Sequence, residues 1–95
     1  MMEKITLNDA IKQVGTFPIA KGIVTQSFDF NNAGNGIYTV NRIDCPNQPV
    51  AAIGTLVSFS DTYQCQIYVP ILTDAGIYMR ASDTNNRWTE WRNIM

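Results

Sequence analysis

The stretch GIYMRASDTNNRWTEWRNI, residues 76–94, decides the fold of this 95-residue chain. Its first part, Ile77–Arg80, alternates between aliphatic and larger amphipathic side chains, which is the period of a strand with two distinct faces. The polar residues 82–86 favour a turn, because Asp and Asn tolerate left-handed backbone and hydrogen-bond their own main chain. The stretch therefore predicts a β-hairpin whose returning strand carries both tryptophans of the chain, Trp88 and Trp91.

The preceding sequence predicts a meander of short strands. Alternating or β-branched runs are separated by turn residues, as in the loop Asn31–Gly36 and the tight turn at residues 61–62. The expected fold is a mostly β, mostly antiparallel knob of five or six strands. The predicted strands before the closing hairpin are Ile23–Phe30, Gly36–Ile43, Gly54–Ser60 and Tyr63–Val69.

One short helix is predicted before the strands, over Thr6–Val14. Its apolar side chains fall at i, i+3, i+4 and i+7, which forms one stripe that needs a docking partner. Residues 1–22 are therefore predicted to be an attachment or oligomerisation helix with a linker over Thr16–Gly22, and residues 23–95 the knob domain. The stripe consists of Leu7, Ala10, Ile11 and Val14, with its own domain, a sister subunit or a host particle as alternative partners.

The composition argues against several classes of protein. The net charge is −1 with seven basic residues and no basic stripe, which argues against nucleic-acid binding. There is no histidine, so the usual neutral-pH general base and zinc ligand are missing, and we expect neither a metal nor a cofactor. No apolar run approaches the length of a membrane span, and the start of the chain lacks a signal peptide's apolar core.

Two cysteines are too few for a disulfide scaffold. Cys65 shares a strand face with Tyr63, Ile67 and Val69, and the favoured interpretation is a buried free thiol. A bridge between Cys45 and Cys65 is the alternative, which the sequence leaves open.

The two tryptophans carry the binding hypothesis. In a regular strand their odd spacing points them to opposite faces, so one is expected in the core and the other at the surface. An exposed indole beside arginine can stack on a sugar ring or fill a subunit interface. The favoured alternative is structural, with Arg80 or Arg92 stacked on a ring as an internal cation–π contact. The candidate ligand-binding residues are Asn85, Asn86, Arg87, Trp88, Trp91 and Arg92.

An enzymatic role is a third hypothesis. The acids are scattered through turns, and the candidate catalytic pair is Asp74 and Asp83, which flank one hairpin. Aspartate in a turn more often forms that turn, and we therefore expect a protein that is not an enzyme.

The pattern Gly-Ile-Tyr-x-Arg, polar turn, Trp-x-x-Trp-x-x-Ile resembles the closing hairpin of the pyocin-knob-like domain. That domain occurs on tail fibres and related appendages of bacteriophages and phage-derived bacteriocins. The resemblance covers roughly Phe28 to Ile94. Upstream pieces agree in order, namely Gly36–Val40, Pro46 and Pro49, Gly54–Phe59 and Gln64–Tyr68.

This resemblance implies a non-enzymatic virion appendage, assembled in the host cytoplasm, that displays a knob for contact with a host-surface glycan. The alternative is a purely structural head-fibre or capsid-decoration subunit. Such knobs commonly form homotrimers, and residues 1–22 are expected to replace the shaft of a longer fibre by contacting other virion proteins. Binding specificity would lie in three variable loops, Asn31–Asn35, Asp44–Pro49 and Ser82–Asn86.

Overall fold

The computed structural model describes residues 20–71 and 76–95, and there the chain forms one six-stranded sheet whose strands lie in chain order. The predicted mostly β fold class is confirmed, and each neighbouring pair is antiparallel except β1 with β2, which is parallel. The predicted helix Thr6–Val14 lies outside the described residues. The strands are β1 (Ala20–Val24), β2 (Gly36–Val40), β3 (Gly54–Ser60), β4 (Gln64–Pro70), β5 (Tyr78–Ser82) and β6 (Arg92–Asn93), with a 3-10 helix at Phe30–Asn32.

The first strand is displaced from its predicted position. It begins at Ala20, within the predicted linker, and ends at Val24, so the strand predicted to reach Phe30 is wrong beyond that point. Asp29 instead caps the 3-10 helix, because its carboxylate accepts a hydrogen bond from the Asn31 backbone N–H. The 3-10 helix lies in the connection between β1 and β2, which returns the chain so that β2 runs parallel to β1. The division into two domains at residue 22 stays a prediction, although β1 spans that position.

The sheet has two chemically different faces. We call the face that carries Leu56, Tyr68 and Arg80 the inner face, because these side chains are buried and the loops cover them. The alternate residues of each strand, such as Val57 and Ile67, form the outer face.

Cys65 lies on the outer face and is only half-buried, so the prediction that it is buried is wrong. Its neighbour Gln66 is fully buried on the inner face, where its amide donates to the Phe30 carbonyl and the Ser58 hydroxyl and accepts from Arg80. Both cysteines are free, and Cys45 is in the core.

The hydrophobic core lies between the inner face and the loops that follow β1 and β2. Phe30 is at its centre, with its ring 5.6 Å from that of Tyr68 and 5.4 Å from that of Phe28. The Gln48 side chain ties the second loop to the sheet by donating to the Tyr68 hydroxyl and to two backbone carbonyls. The buried members are Phe30, Ala33, Val40, Cys45, Leu56 and Tyr68.

Candidate functional site

A buried arginine connects the closing hairpin to the sheet. Arg80, in β5, is 3% exposed, and its guanidinium carbon lies 4.0 Å from the ring centre of Trp88 and 4.6 Å from that of Trp91. Burial lowers the pKa of Arg80 to about 10, an effect that Asp29 opposes, so the group stays cationic at neutral pH. Each indole therefore makes a cation–π contact with the same charge.

Gln66 satisfies this arginine from the adjacent strand. Its Oε1 accepts hydrogen bonds from Arg80 Nε at 2.9 Å and from Arg80 Nη2 at 2.8 Å. Its Nε2 donates to the Phe30 carbonyl at 2.7 Å and to the Ser58 hydroxyl at 3.4 Å. Ser58 in turn donates to the Ala33 carbonyl. A buried polar row thus crosses β3, β4 and β5 and connects the tryptophans to the loop that follows β1.

Trp91 is also attached to the core and to a second loop. Its Nε1 donates to the Asn47 carbonyl at 2.7 Å, and its ring meets Phe30 edge-on with centres 6.4 Å apart. Asn47 donates through its side chain to the Asp29 carboxylate at 2.7 Å. The closing hairpin, the 44–49 loop and the 29–32 turn therefore form one connected unit.

The expectation that one tryptophan is buried and the other is at the surface is wrong, because both are half-buried and both contact Arg80. The alternation rule fails because the segment between Ser82 and Arg92 is not a regular strand. The returning chain pairs with β5 at two separate places, the bridge Ser82–Trp88 and the short strand β6. The sequence offered Arg80 or Arg92 for an internal cation–π contact, and in the structure Arg80 makes it.

Asp83 organises the hairpin turn. Its Oδ1 accepts from the backbone N–H groups of Asn85 and Arg87, and its Oδ2 accepts from Arg87 Nε at 2.7 Å. Hydrogen bonds from the Arg87 and Asn85 backbones lower the pKa of Asp83, with a smaller contribution from the Arg87 side chain. A carboxyl held in its ionised form by its own turn is poorly suited to donate a proton. The other acid of the proposed catalytic pair, Asp74, lies outside the described residues.

The predicted ligand-binding residues divide into two groups. Trp88 and Trp91 contact Arg80, whereas the other four side chains are exposed. Asn86 has a φ of 59°, the left-handed conformation expected of an Asn in this turn. The four exposed residues are Asn85, Asn86, Arg87 and Arg92. Nothing in the sequence pattern pointed to Gln66, Ser58 or Asn47, whose roles arise only from contacts between strands and loops.

Two of the predicted variable loops lie at the same end of the sheet. The strand register places Gly36 beside Ser58 and Gln64 beside Ser82, so the loop 31–35 and the turn 83–87 lie at the same end. The loop 44–49 leaves β2 at the opposite end and reaches Trp91 across the inner face.

A shallow groove of about 300 Å³ lies at that opposite end and contains none of the predicted site residues. Its charged groups are already engaged, because Arg42 donates to both carboxylate oxygens of Asp44 and to the Thr25 carbonyl. The hydrogen bonds between the two side chains lower the pKa of Asp44 and raise that of Arg42. The groove is lined by Thr25, Asn41, Arg42, Ile43, Asp44 and Ile53.

Over residues 20–71 and 76–95 no helix is long and apolar enough to cross a membrane. Within the same ranges no three His, Cys, Asp or Glu side chains are arranged to hold a metal ion.

The fold is similar to that of a known fibre protein. A solved structure of an N-terminally truncated R2-type pyocin tail fibre superposes on this chain with a TM-score of 0.71 and 20% sequence identity. The match covers 85% of this chain and 35% of the pyocin chain, so this chain spans about a third of the length of that truncated chain. No protein-family model matches the sequence, and no curated protein matches it significantly. The predicted resemblance to a pyocin tail-fibre knob is thereby confirmed for the fold.

Proposed function

We propose that this protein is a non-enzymatic fibre subunit of a phage or phage-derived particle, and that its knob contacts a glycan on the host surface. The observation that carries the proposal is the common fold with the R2-type pyocin tail fibre over 85% of the chain. The proposed location is the virion, after assembly in the host cytoplasm. The proposed assembly is a homotrimer attached to other virion proteins through the stripe Leu7, Ile11 and Val14.

The proposed contact surface is the end of the sheet at which the loop 31–35 and the hairpin turn 82–86 lie. The exposed amides of Asn85 and Asn86 and the guanidinium of Arg87 offer hydrogen bonds to sugar hydroxyls. Trp88 is only half-buried, so part of its ring remains available to contact a sugar. The hydrogen bonds to Asp83 hold this turn in one conformation, which lowers the entropy cost of binding.

The test is binding of the purified chain to host cells and to their extracted surface polysaccharide, compared with an Asn85→Ala variant. Its matched control is Asn41→Ala, an exposed asparagine at the opposite end of the sheet. We expect Asn85→Ala to weaken binding several-fold with an unchanged melting temperature, and Asn41→Ala to bind like the parent. Loss of binding only in Asn41→Ala would move the contact surface to the groove beside Arg42. Absence of binding by the folded parent chain would refute host attachment.

The second candidate is a purely structural subunit, and the Arg80 stack favours it. Both indoles are used within the domain to hold a buried cation, so the aromatic content of the hairpin is accounted for without a ligand. Under this alternative, Ile11→Asp in the N-terminal stripe prevents incorporation into particles, whereas Asn85→Ala has no effect. Particle composition measured by mass spectrometry separates the two candidates.

A further inference from the structure

The turn that joins β3 to β4, residues 61–63, carries the most exposed aromatic side chain of the described residues. Tyr63 is 68% exposed, whereas Trp88 and Trp91 are half-buried in the closing hairpin. Phe59, near the end of β3, is the other exposed aromatic residue in the described part of the chain, at 40%. The ring most available to a partner in solution is therefore that of Tyr63.

The turn itself does not require this ring. Its backbone closes through a hydrogen bond from the Asp61 N–H to the Tyr63 carbonyl at 3.1 Å, and a residue of any type offers that carbonyl. Aspartate at position 61 supplies ordinary turn chemistry, whereas aromatic residues are not turn formers. Binding residues concentrate in connections that a rigid sheet positions. The exposed ring of Tyr63 is thus explained by a contact with a partner and not by the folding of the turn.

The β3–β4 turn lies in the middle of the proposed contact surface. The register places Ser60 beside Gln64 and Gln64 beside Ser82, and the strand order is β2-β3-β4-β5. The turn therefore has the loop 31–35, which enters β2, on one side and the hairpin turn 83–87, which leaves β5, on the other. With strands about 4.8 Å apart, these three connections span roughly 15 Å from β2 to β5. That width suits a short oligosaccharide.

Planar amides flank the turn on both sides. On the β2 side the Asn35 side chain lies against the end of β3, because its Oδ1 accepts a hydrogen bond from the Ser60 N–H at 3.4 Å. On the β5 side Asn85 and Asn86 are exposed in the hairpin turn. An amide both donates and accepts, which matches a sugar hydroxyl, and the face of an aromatic ring matches the apolar C–H face of a pyranose. An aromatic ring between amides is therefore complementary to a carbohydrate.

The charges at this end of the sheet favour an uncharged sugar. Asp61, in the same turn as Tyr63, is exposed, and Arg87 is already paired with the Asp83 carboxylate at 2.7 Å. A sugar that carries a carboxylate or phosphate would meet Asp61 without a matching cation, and like charges in contact oppose binding. The other described cations lie elsewhere, namely Arg80, which is buried, Lys21 in the edge strand β1, Arg42 in the groove at the opposite end and Arg92 in β6.

We propose that Tyr63 is the stacking platform of a sugar-binding site at the β3–β4 turn. Its ligand is an uncharged pyranose, whose hydroxyl groups bond to the amides of Asn35 and Asn85. The inference rests on the proposed host attachment and deepens it, since it assigns the central contact to a residue outside the predicted ligand-binding set and defines the chemical class of the sugar. Trp88 then contributes at the margin of the site, whereas Tyr63 is at its centre.

The test uses the full chain and the polysaccharide extracted from host cells, divided by anion exchange into a neutral and an acidic fraction. Biolayer interferometry measures the binding of each fraction to the parent chain and to its variants. We expect the parent to bind the neutral fraction about tenfold more tightly than the acidic one, or more. Tyr63→Ala should weaken binding of the neutral fraction by about tenfold or more, whereas Tyr63→Phe, which keeps the ring, should bind nearly as tightly as the parent.

Ile43→Ala is the matched control, since Ile43 is an exposed apolar residue at the opposite end of the sheet, and it should bind like the parent. All variants should keep the parent melting temperature, because the replaced side chains are exposed. If the parent binds but Tyr63→Ala binds equally well, or if the acidic fraction binds more tightly than the neutral one, this inference is overturned while host attachment stands. If the folded parent binds neither fraction nor intact host cells, host attachment is refuted and this inference with it.

Discussion

Replacing Gln66 with leucine tests whether the buried polar row holds the closing hairpin. The change removes the acceptor of two hydrogen bonds from Arg80 and the donor to the Phe30 carbonyl. Hydrogen bonds to a charged group contribute about 1.5–3 kcal/mol, and a buried carbonyl left without a donor costs about 1–3 kcal/mol. Because Arg80 is only 3% exposed, water replaces little of this, and we expect a loss of about 3–5 kcal/mol.

That loss is a large part of the stability of a domain of this size, which is about 5–15 kcal/mol. The free energy of unfolding is measured by urea titration followed by far-UV circular dichroism, at one protomer concentration for all variants. The matched control is Gln26→Leu, because Gln26 is exposed and its replacement should change stability by about 0.5 kcal/mol or less.

A double-mutant cycle then isolates the interaction between Gln66 and Arg80. Arg80→Met removes the cation, so in the double variant with Gln66→Leu no buried charge is left without an acceptor. The double variant should be more stable than the sum of the single losses predicts, by about 1–2 kcal/mol. A stabilising role of Gln66 toward the buried arginine would be refuted if the losses of unfolding free energy were strictly additive. A loss below about 1 kcal/mol for Gln66→Leu alone would refute it too.

Three further changes test other parts of the fold. Trp91→Phe keeps a six-membered aromatic ring but loses the pyrrole ring and its N–H donor to the Asn47 carbonyl, and a thermal melt should show a loss of at least about 1–2 kcal/mol; an unchanged melt would mean that this bond contributes nothing. The pKa of Asp83 is lower in the folded chain, so its stabilisation is present above the ordinary carboxyl pKa and lost as the pH falls through the folded value. The stability advantage over Asp83→Asn should therefore shrink below about pH 4, and a pH-independent difference would contradict this origin. Gly54→Ala should cost about 1–3 kcal/mol in urea titration, because the added Cβ meets the Val69 backbone oxygen, and a neutral effect would show that β3 can move away.

The strands that the sequence predicted best are β3 and β4, whose alternating pattern and whose pairing through a short turn both favour the same strand bounds. β3 has the predicted bounds, and β4 differs by one residue at each end, because the short turn between them fixes an antiparallel pairing. The strand predicted at Ile23–Phe30 was largely wrong, since the alternation of Phe28 and Phe30 arises in a loop that points both rings into the core.

The candidate site was only partly predictable. The hairpin and the importance of its tryptophans follow from composition, and Asp83 has the turn-forming role that its residue type favours. The position of both indoles on one guanidinium does not follow, because the segment between Ser82 and Arg92 leaves the regular strand on which the face assignment rested.

The sequence by itself determined the mostly β class, the β3–β4 hairpin and the turn that carries Asp83, because these depend on interactions between residues close in the chain. Only the tertiary structure decided which face of each strand is buried. Alternation assigns residues to two faces but does not say which one meets the core, and polar Gln66 and Arg80 point inward because partners distant in sequence satisfy them. The same choice places the exposed side chains of Ile23, Phe59 and Val69 on the opposite face of the sheet.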